Sequence, residues 1–257
     1  MEEKILKTSR INIIRLAEID STNDYLKRHQ KSLTSGTIAV ANHQTKGRGR
    51  RGHAWTSVPG KSLLFSILAK PHGNIKPVTN LSICPAVAIV RALAALSINA
   101  AVKWPNDIII KDRKIAGVLV ENSWKYNQLE SIIIGVGINV TQNQQDLENL
   151  EAAGSILTQT GKTVEKELLF ELILAEFNRI LDYILLKIPI HDLNYEWLAH
   201  CDHTDCPVHL FDPQGRTSGI FKGLNQNGEA VIETADKEQY VFENSKYKLR
   251  KTNAVDD

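Results

Sequence analysis

Two textures follow one another along this 257-residue chain, and their order limits the folds open to it. Up to Pro189, apolar runs of strand length alternate with amphipathic stretches of helical period. From Cys206 onward only short alternating strands remain: "PVHLF", "TSGIFKGLN", "EAVIET" and "QYVFEN", punctuated by the turn signals "DPQG" (212–215) and "NQNG" (225–228). That spacing predicts a small antiparallel barrel or sandwich appended to a larger domain of mixed sheet and helix, an α+β class.

Within the larger part, "IDSTNDYLKR" (19–28) reads as a strand end turning into a short helix, with Ser21, Thr22 or Asn23 at its N-terminus. Residues 36–44 and 62–70 are rich in apolar and β-branched side chains and read as strands. Between Val78 and Leu96 the apolar positions Leu81, Cys84, Ala88, Ile89, Ala92, Leu93 and Leu96 repeat helically, with Pro85 in the first turns. Strands are expected at 101–104, 107–110, 115–121 and 129–137, the first ended by Pro105, with a tight turn at Asp112-Arg113. After Thr163, the residues Leu169, Leu172, Ile173, Phe177, Ile180, Leu181 and Ile184 form one helical stripe that Pro189 stops.

Charge is segregated along the chain. Between Asp24 and Asp107 there is no carboxylate but twelve Lys and Arg, whereas from Asp107 onward 24 acidic residues face 15 basic ones. A lobe built from the first interval draws in anions, so a nucleotide triphosphate, a nucleic acid or an acidic protein are the candidate partners. Two glutamates open the chain where a secretory signal needs basic residues, and no apolar run is long enough to span a bilayer. Cys84, Cys201 and Cys206 give no disulfide framework. A cytosolic protein is expected.

The basic interval contains "GRGRRGHAWTS" (47–57), which satisfies G-x-G-x-x-G. A dinucleotide site needs a strand running into the first glycine, a helix opening within the motif and an acidic residue about 20 positions on. Here "HQTK" precedes the motif, Pro59 and Gly60 follow it, and no carboxylate comes after it until Asp107. What remains is a glycine-rich loop whose Arg48, Arg50 and Arg51 suit phosphate oxygens or, equally, a nucleic acid, or are simply solvated. "VKWPNDI" (102–108) sets Lys103, Asn106 and Asp107 around a proline kink. "RKIAGVLVE" (113–121) adds Lys114 and Gly117, and "GVGINV" (135–140) ends a strand with glycines and Asn139.

Taken together, "DSTN", "GRGRRG-x-x-W-x-S", "KWPNDI", "RKIAGVLVE" and "GVGIN" resemble, in order and spacing, the bacterial biotin–protein ligases, also called biotin–[acetyl-CoA-carboxylase] ligases. The resemblance runs from about residue 15 to the C terminus, where "PVHL" and "YKLR" match the family's small β-domain. It implies a mixed sheet packed on helices as the biotin/lipoate ligase-like catalytic domain (1–200), then an SH3-like barrel (201–257). It implies ATP-dependent activation of biotin to biotinyl-AMP, assisted by Mg²⁺, and transfer to a lysine of the biotin carboxyl carrier protein.

By the same resemblance Ser21, Thr22, Asn23, Gln44, Arg48, Gly49, Arg50, Lys114 and Gly117 contact biotin. Arg48, Arg50, Arg51, Trp55, Asn106, Lys114, Asn139 and Arg250 lie on the nucleotide side. Lys114, Arg50 and Asp107 are the catalytic candidates, with Asp107 also the one Mg²⁺ contact suggested. The regulatory members carry an N-terminal DNA-binding domain that is not matched here, so no repressor activity, no DNA and no membrane partner are expected; a homodimer stays open. A lipoate or octanoyl transferase of the same architecture is the nearest alternative, and a nucleic-acid-binding module the second. "HCDHTDCPVH" (200–209) gathers His200, Cys201, His203, Cys206 and His209, but its spacing matches no zinc finger and the resemblance puts an interdomain connection there. The glycine-arginine loop is expected to be mobile without ligand, since its arginines lack acidic neighbours in sequence.

Overall fold

A computed structural model describes residues 5–8, 11–71, 81–126, 128–150, 152–184, 191–242 and 247–252. Its larger part holds β1 (Ile5–Thr8), β2 (Ile11–Ile19), α1 (Thr22–His29), β3 (Thr37–Gln44) and β4 (Ser62–Ala69). Next come α2 (Ile83–Ala95), β5 (Ala101–Lys103), β6 (Asp107–Ile110), β7 (Arg113–Lys125) and β8 (Gln128–Asn139). The helices α3 (Gln144–Leu147), α4 (Ile156–Thr160), α5 (Lys166–Ile184) and α6 (His191–Ala199) lead to β9 (Pro207–Asp212), β10 (Gly215–Leu224), β11 (Ala230–Glu233), β12 (Gln239–Phe242) and β13 (Lys248–Lys251).

The eight strands of the first sheet run β1-β2-β3-β4-β8-β7-β6-β5, and β2–β3 is a parallel pair in an otherwise antiparallel sheet. Strand parity assigns its two faces. On β4, Leu63, Phe65 and Ile67 pack into the main core with Ala116 and Val118 of β7 and Ile134, Val136 and Ile138 of β8. The helices α2 and α5 cover this face, and Phe65 meets Phe170 at 5.3 Å and Phe177 at 6.0 Å, edge to face. The opposite face carries Leu64, Ser66 and Leu68 of β4, Gly117, Leu119 and Glu121 of β7, and Ile133, Gly135 and Gly137 of β8. A smaller apolar cluster there, including Ile14, Leu16, Leu26, Ala39 and Leu68, seats α1. Between α1 and the β6–β7 turn this face is open, and that opening is the cleft.

Local signals account for the boundaries. Ser21 caps α1, its hydroxyl accepting from the Asp24 amide. Lys111 and Asp112 both have positive φ (49° and 61°), so the β6–β7 turn is centred one residue earlier than expected and Arg113 already belongs to β7. α2 begins at Ile83 with Pro85 in its first turn, and the expected start at Val78 lies outside the described residues. The stripe after Thr163 becomes α5, and its stop at Pro189 also lies outside them. The edge strand β1 and the short helices α3, α4 and α6 have too little periodicity of their own to be read from sequence.

The C-terminal sheet runs β12-β11-β10-β9-β13, all antiparallel, with turns where "DPQG" and "NQNG" fall. Among the described residues no ladder joins β12 to β13. No helix among them is long and apolar enough to cross a membrane.

Candidate active site

One cleft of about 890 Å³ gathers every expected site residue except Asn139. Its two ends differ in chemistry.

At the first end, the start of α1 sits over β3 and β4. The Gln44 side-chain oxygen accepts from the Thr22 amide at 2.7 Å and the Thr22 hydroxyl at 3.0 Å. Thr22 Oγ1 lies 2.6 Å from Ser66 Oγ, which donates to Asn23 Oδ1 at 2.5 Å. Asn23 Nδ2 then donates to Glu121 at 2.8 Å. Thr22, Asn23 and Ser66 are buried and mutually satisfied, which fixes their orientation. The sequence alone does not single out Ser66 and Glu121. The one signal for Ser66 is a hydroxyl set inside the apolar run "SLLFSILAK".

The glycine-arginine loop closes over this end. Arg48 pairs with Glu121 at 2.6 Å and Asp24 at 2.8 Å, so a loop without acidic neighbours in sequence finds acidic partners in space. The carboxylates come from α1 and β7, distant in sequence but adjacent once the sheet forms. The Gly49 amide donates to the His53 carbonyl at 2.7 Å and the Trp55 amide to the Gly47 carbonyl at 2.9 Å, which folds the loop into a tight hairpin.

Trp55 then lies on a floor of two glycines. Gly117 and Gly137 face each other across β7 and β8, and a Cβ on Gly137 would run into the indole. The indole N–H of Trp55 is buried and has no hydrogen-bond partner among the described residues.

The second end is charged. Asp107 opens β6 and pairs with Lys114 at 2.6 Å; the Lys114 ammonium stands 5.8 Å over the Trp55 ring. Arg50 donates to Asn106 Oδ1 at 3.0 Å, and Asn106 donates to the Val118 carbonyl at 2.7 Å. Burial, and then the neighbouring Arg51, push the Arg50 guanidinium down to about 10, while Asp107 works the other way. Arg250, on β13, lies with its guanidinium 5.7 Å over Phe211 and borders the same end.

Asn139 sits behind the cleft. It is buried, donates to the Gly154 carbonyl at 2.9 Å and accepts from Gln142 at 2.9 Å. The Gly154 amide in turn holds the Lys114 carbonyl at 2.9 Å, so Asn139 braces the segment beside Lys114.

Of the His/Cys cluster, Cys201 and His203 stay together, Sγ lying 3.4 Å from Nδ1, while His209 turns to another partner. His203 pairs with Asp202 at 2.6 Å, His209 is 2.9 Å from Ser218, and burial pushes the Cys201 thiol up to about 11. Among the described residues no three His, Cys, Asp or Glu side chains are grouped to hold a metal.

Known proteins share this fold and its motifs. The sequence profile of the Biotin/lipoate A/B protein ligase family matches residues 16–139. The Bifunctional ligase/repressor BirA of Salmonella typhimurium is 30% identical over 223 residues, which cover 86% of this chain and 69% of that protein. The Biotin--[acetyl-CoA-carboxylase] ligase of Paracoccus denitrificans is 27% identical, covering 84% of this chain and 92% of its own. The structure of the Aquifex aeolicus biotin protein ligase in complex with biotin and ATP superposes with a TM-score of 0.81 at 29% identity, covering 93% of this chain and 99% of that one.

Proposed function

The chain belongs to the biotin/lipoate A/B protein ligase family, and on that premise we propose that it is a biotin–[acetyl-CoA-carboxylase] ligase. The observation that carries the reading is the division of one cleft into an end of hydrogen-bonded uncharged side chains, whose charged neighbours Arg48, Asp24 and Glu121 pair with one another, and a cationic end, joined by a floor of two glycines. Such a cleft suits a ligand with an uncharged hydrogen-bonding head and a carboxylate tail that must meet a phosphate.

In the proposed first step a biotin carboxylate oxygen attacks the ATP α-phosphorus, the α–β bridging bond breaks, and pyrophosphate leaves. Ser21, Thr22, Asn23 and Gln44 hold the ureido head, with Arg48 and Gly49 closing over it and Gly117 leaving room beside the chain. Arg50 and Lys114 neutralise the charge that gathers at phosphorus, in a step governed by positioning and electrostatics. Arg51, Trp55, Asn106 and Arg250 border the nucleotide, and Asn139 acts from behind.

The donor set fits Mg²⁺: Asp107 is a carboxylate at the charged end, and this ion is commonly held by one or two carboxylates together with phosphates. Asp107 would hold the ion there, where it would supply charge neutralisation. In the second step a lysine amine attacks the acyl carbon, a C–N bond forms, and AMP leaves with the C–O electron pair. An ammonium of ordinary pKa near 10.4 must first lose a proton, and orienting that lysine is the other role proposed for Asp107, in place of holding the ion.

The acceptor in this reading is the biotin carboxyl carrier protein, the compartment is the cytoplasm, residues 1–200 form the catalytic unit and 201–257 the small β-domain. DNA is left out because the loop arginines turn into a small-molecule cleft. Incubation with ATP, biotin and a carrier domain, followed by a streptavidin blot, should label the carrier only when ATP is present. Labelling with lipoate or octanoate in place of biotin, or none that depends on ATP, overturns the reading.

A further inference from the structure

We propose that the buried His203–Asp202 pair is a positioning device that holds β13 through Lys251 and so sets Arg250 at the nucleotide end of the cleft. The inference rests on the proposed nucleotide site and adds to it the joint between the two sheets.

The chain after α6 first ties itself to the outer edge of the large sheet. The Val102 amide donates to the His200 carbonyl at 2.9 Å, and the Asp202 amide donates to the Val102 carbonyl at 3.2 Å. Asp202 is thereby fixed to β5. Its carboxylate then accepts two bonds, one oxygen from His203 Nδ1 at 2.6 Å and the other from Lys251 Nζ at 2.8 Å.

These donors belong to different layers. The His203 ring has no exposed surface and stands edge-on to Phe221 of β10 at 4.4 Å and to Trp197 of α6 at 6.2 Å. Lys251 is the last residue of β13, which is the outer strand of its sheet and, among the described residues, pairs there with β9 alone. This four-residue outer strand is held by its ladder with β9 and by Leu249, buried in the main core, and the contact of Lys251 adds a tie to the segment fixed on β5. The carboxylate supplies that tie, with His203 setting its orientation from the core.

The consequence is local to the nucleotide end. Asp202, Lys251 and Arg250 all border the cleft there, as does Lys103 of β5. Asp202→Asn presents an amide N–H to one of two donors, so one of the ties is lost. The histidine-rich segment thus has a task that needs no metal: it registers one sheet against the other.

The test is a double-mutant cycle in the full-length enzyme, read as KM for ATP in biotinyl-AMP formation. Wild-type turnover establishes the site itself, so failure of the proposed function shows before any variant is made. Asp202→Asn and Lys251→Met should each raise KM for ATP on the order of tenfold, and the double variant no further than the larger single, because both break one contact. KM for biotin should stay near wild type even where loss of the buried bond lowers the melting temperature. His203→Leu should follow Asp202→Asn, whereas His203→Asn, whose amide can stand in for Nδ1–H, should restore KM for ATP. Multiplying effects in the double variant, an unchanged KM for ATP, or KM values for ATP and biotin rising together with a falling melting temperature would each overturn the proposal. Should the His203 variants fail to fold, the Asp202 and Lys251 cycle decides alone.

Discussion

The two ends of the cleft lie on one face of one sheet, yet they are stabilised in opposite ways. The end beneath α1 is a network in which Thr22, Asn23, Gln44 and Ser66 bond one another and Asn23 passes on to Glu121, itself paired with Arg48. The end at the β6–β7 turn crowds Arg50, Arg51 and Lys114 together, with Asp107 directly against Lys114. The first is organised before any ligand arrives. The second holds excess positive charge whose cost an arriving anion relieves.

The largest effect should come from breaking the charged end. The lowered pKa of Arg50 means that the folded protein holds this cation less readily than the unfolded chain does. Below about 10 its charge therefore subtracts from stability. Arg50→Met should lower the rate of biotinyl-AMP formation by about 10²–10³-fold, the range for losing one donor to a developing anion. Its melting temperature should be unchanged or higher, although the bond to Asn106 is lost. Calorimetry and single-turnover adenylation check both halves, and a destabilised but active variant contradicts the contrast.

Asp107→Asn acts on the same end and should cost less, about 10²-fold in adenylation or in transfer to the carrier, a typical size for a proton-handling group. Biotin affinity, measured by calorimetry, should be kept, because the network beneath α1 does not include Asp107. Unchanged rates in both half-reactions would remove Asp107 from the mechanism.

Ser66→Ala probes the other end. It leaves Asn23 Oδ1 without its buried donor, a loss of about 1–3 kcal/mol. Biotin affinity and thermal stability should fall together, while KM for ATP stays constant. That pattern is the reverse of Arg50→Met, and finding the same pattern in both variants would dissolve the distinction between the ends.

The charged end is the more legible in sequence. "GRGRRG", "KWPNDI" and "RKIAGVLVE" carry Arg50, Asn106, Asp107 and Lys114 in short, recognisable runs, and all four meet in the cleft. The neutral end is half legible. "DSTN" and Gln44 stand out, but Ser66 and Glu121 depend on which face of β4 and β7 turns inward, and parity is fixed only when strands pair. Asn139 shows the limit from the other side: its place at the end of "GVGIN" suggests the cleft, and the hydrogen bonds to Gly154 and Gln142 put it behind. The pairing of Arg48 with Asp24 and Glu121 is invisible for the same reason as Ser66, since it joins three separate elements.

The smallest effect sharpens the contrast at the rim of the neutral end. Asp20 precedes the Ser21 cap, and its hydrogen bonds from Arg28, opposed by burial and aided by the Ser21 amide, hold its carboxyl down at about 2. A depressed carboxylate contributes stability that is fully present above its unfolded value, near 3.8, and is lost as pH falls through about 2. The side chains of Asp20 and Arg28 are 35% and 48% exposed, so screening reduces the pair to about 0.5 kcal/mol or less. Arg28→Gln should therefore lower the melting temperature slightly at pH 5 and progressively less as pH falls to 2 and below, with biotin affinity at neutral pH unaltered. The bonds among Thr22, Asn23, Gln44 and Ser66 include neither Asp20 nor Arg28, so the rim can loosen while the network beneath it stays in place. A loss of biotin affinity in Arg28→Gln as large as that in Ser66→Ala would mean that the head pocket is held from its exposed edge rather than from the sheet.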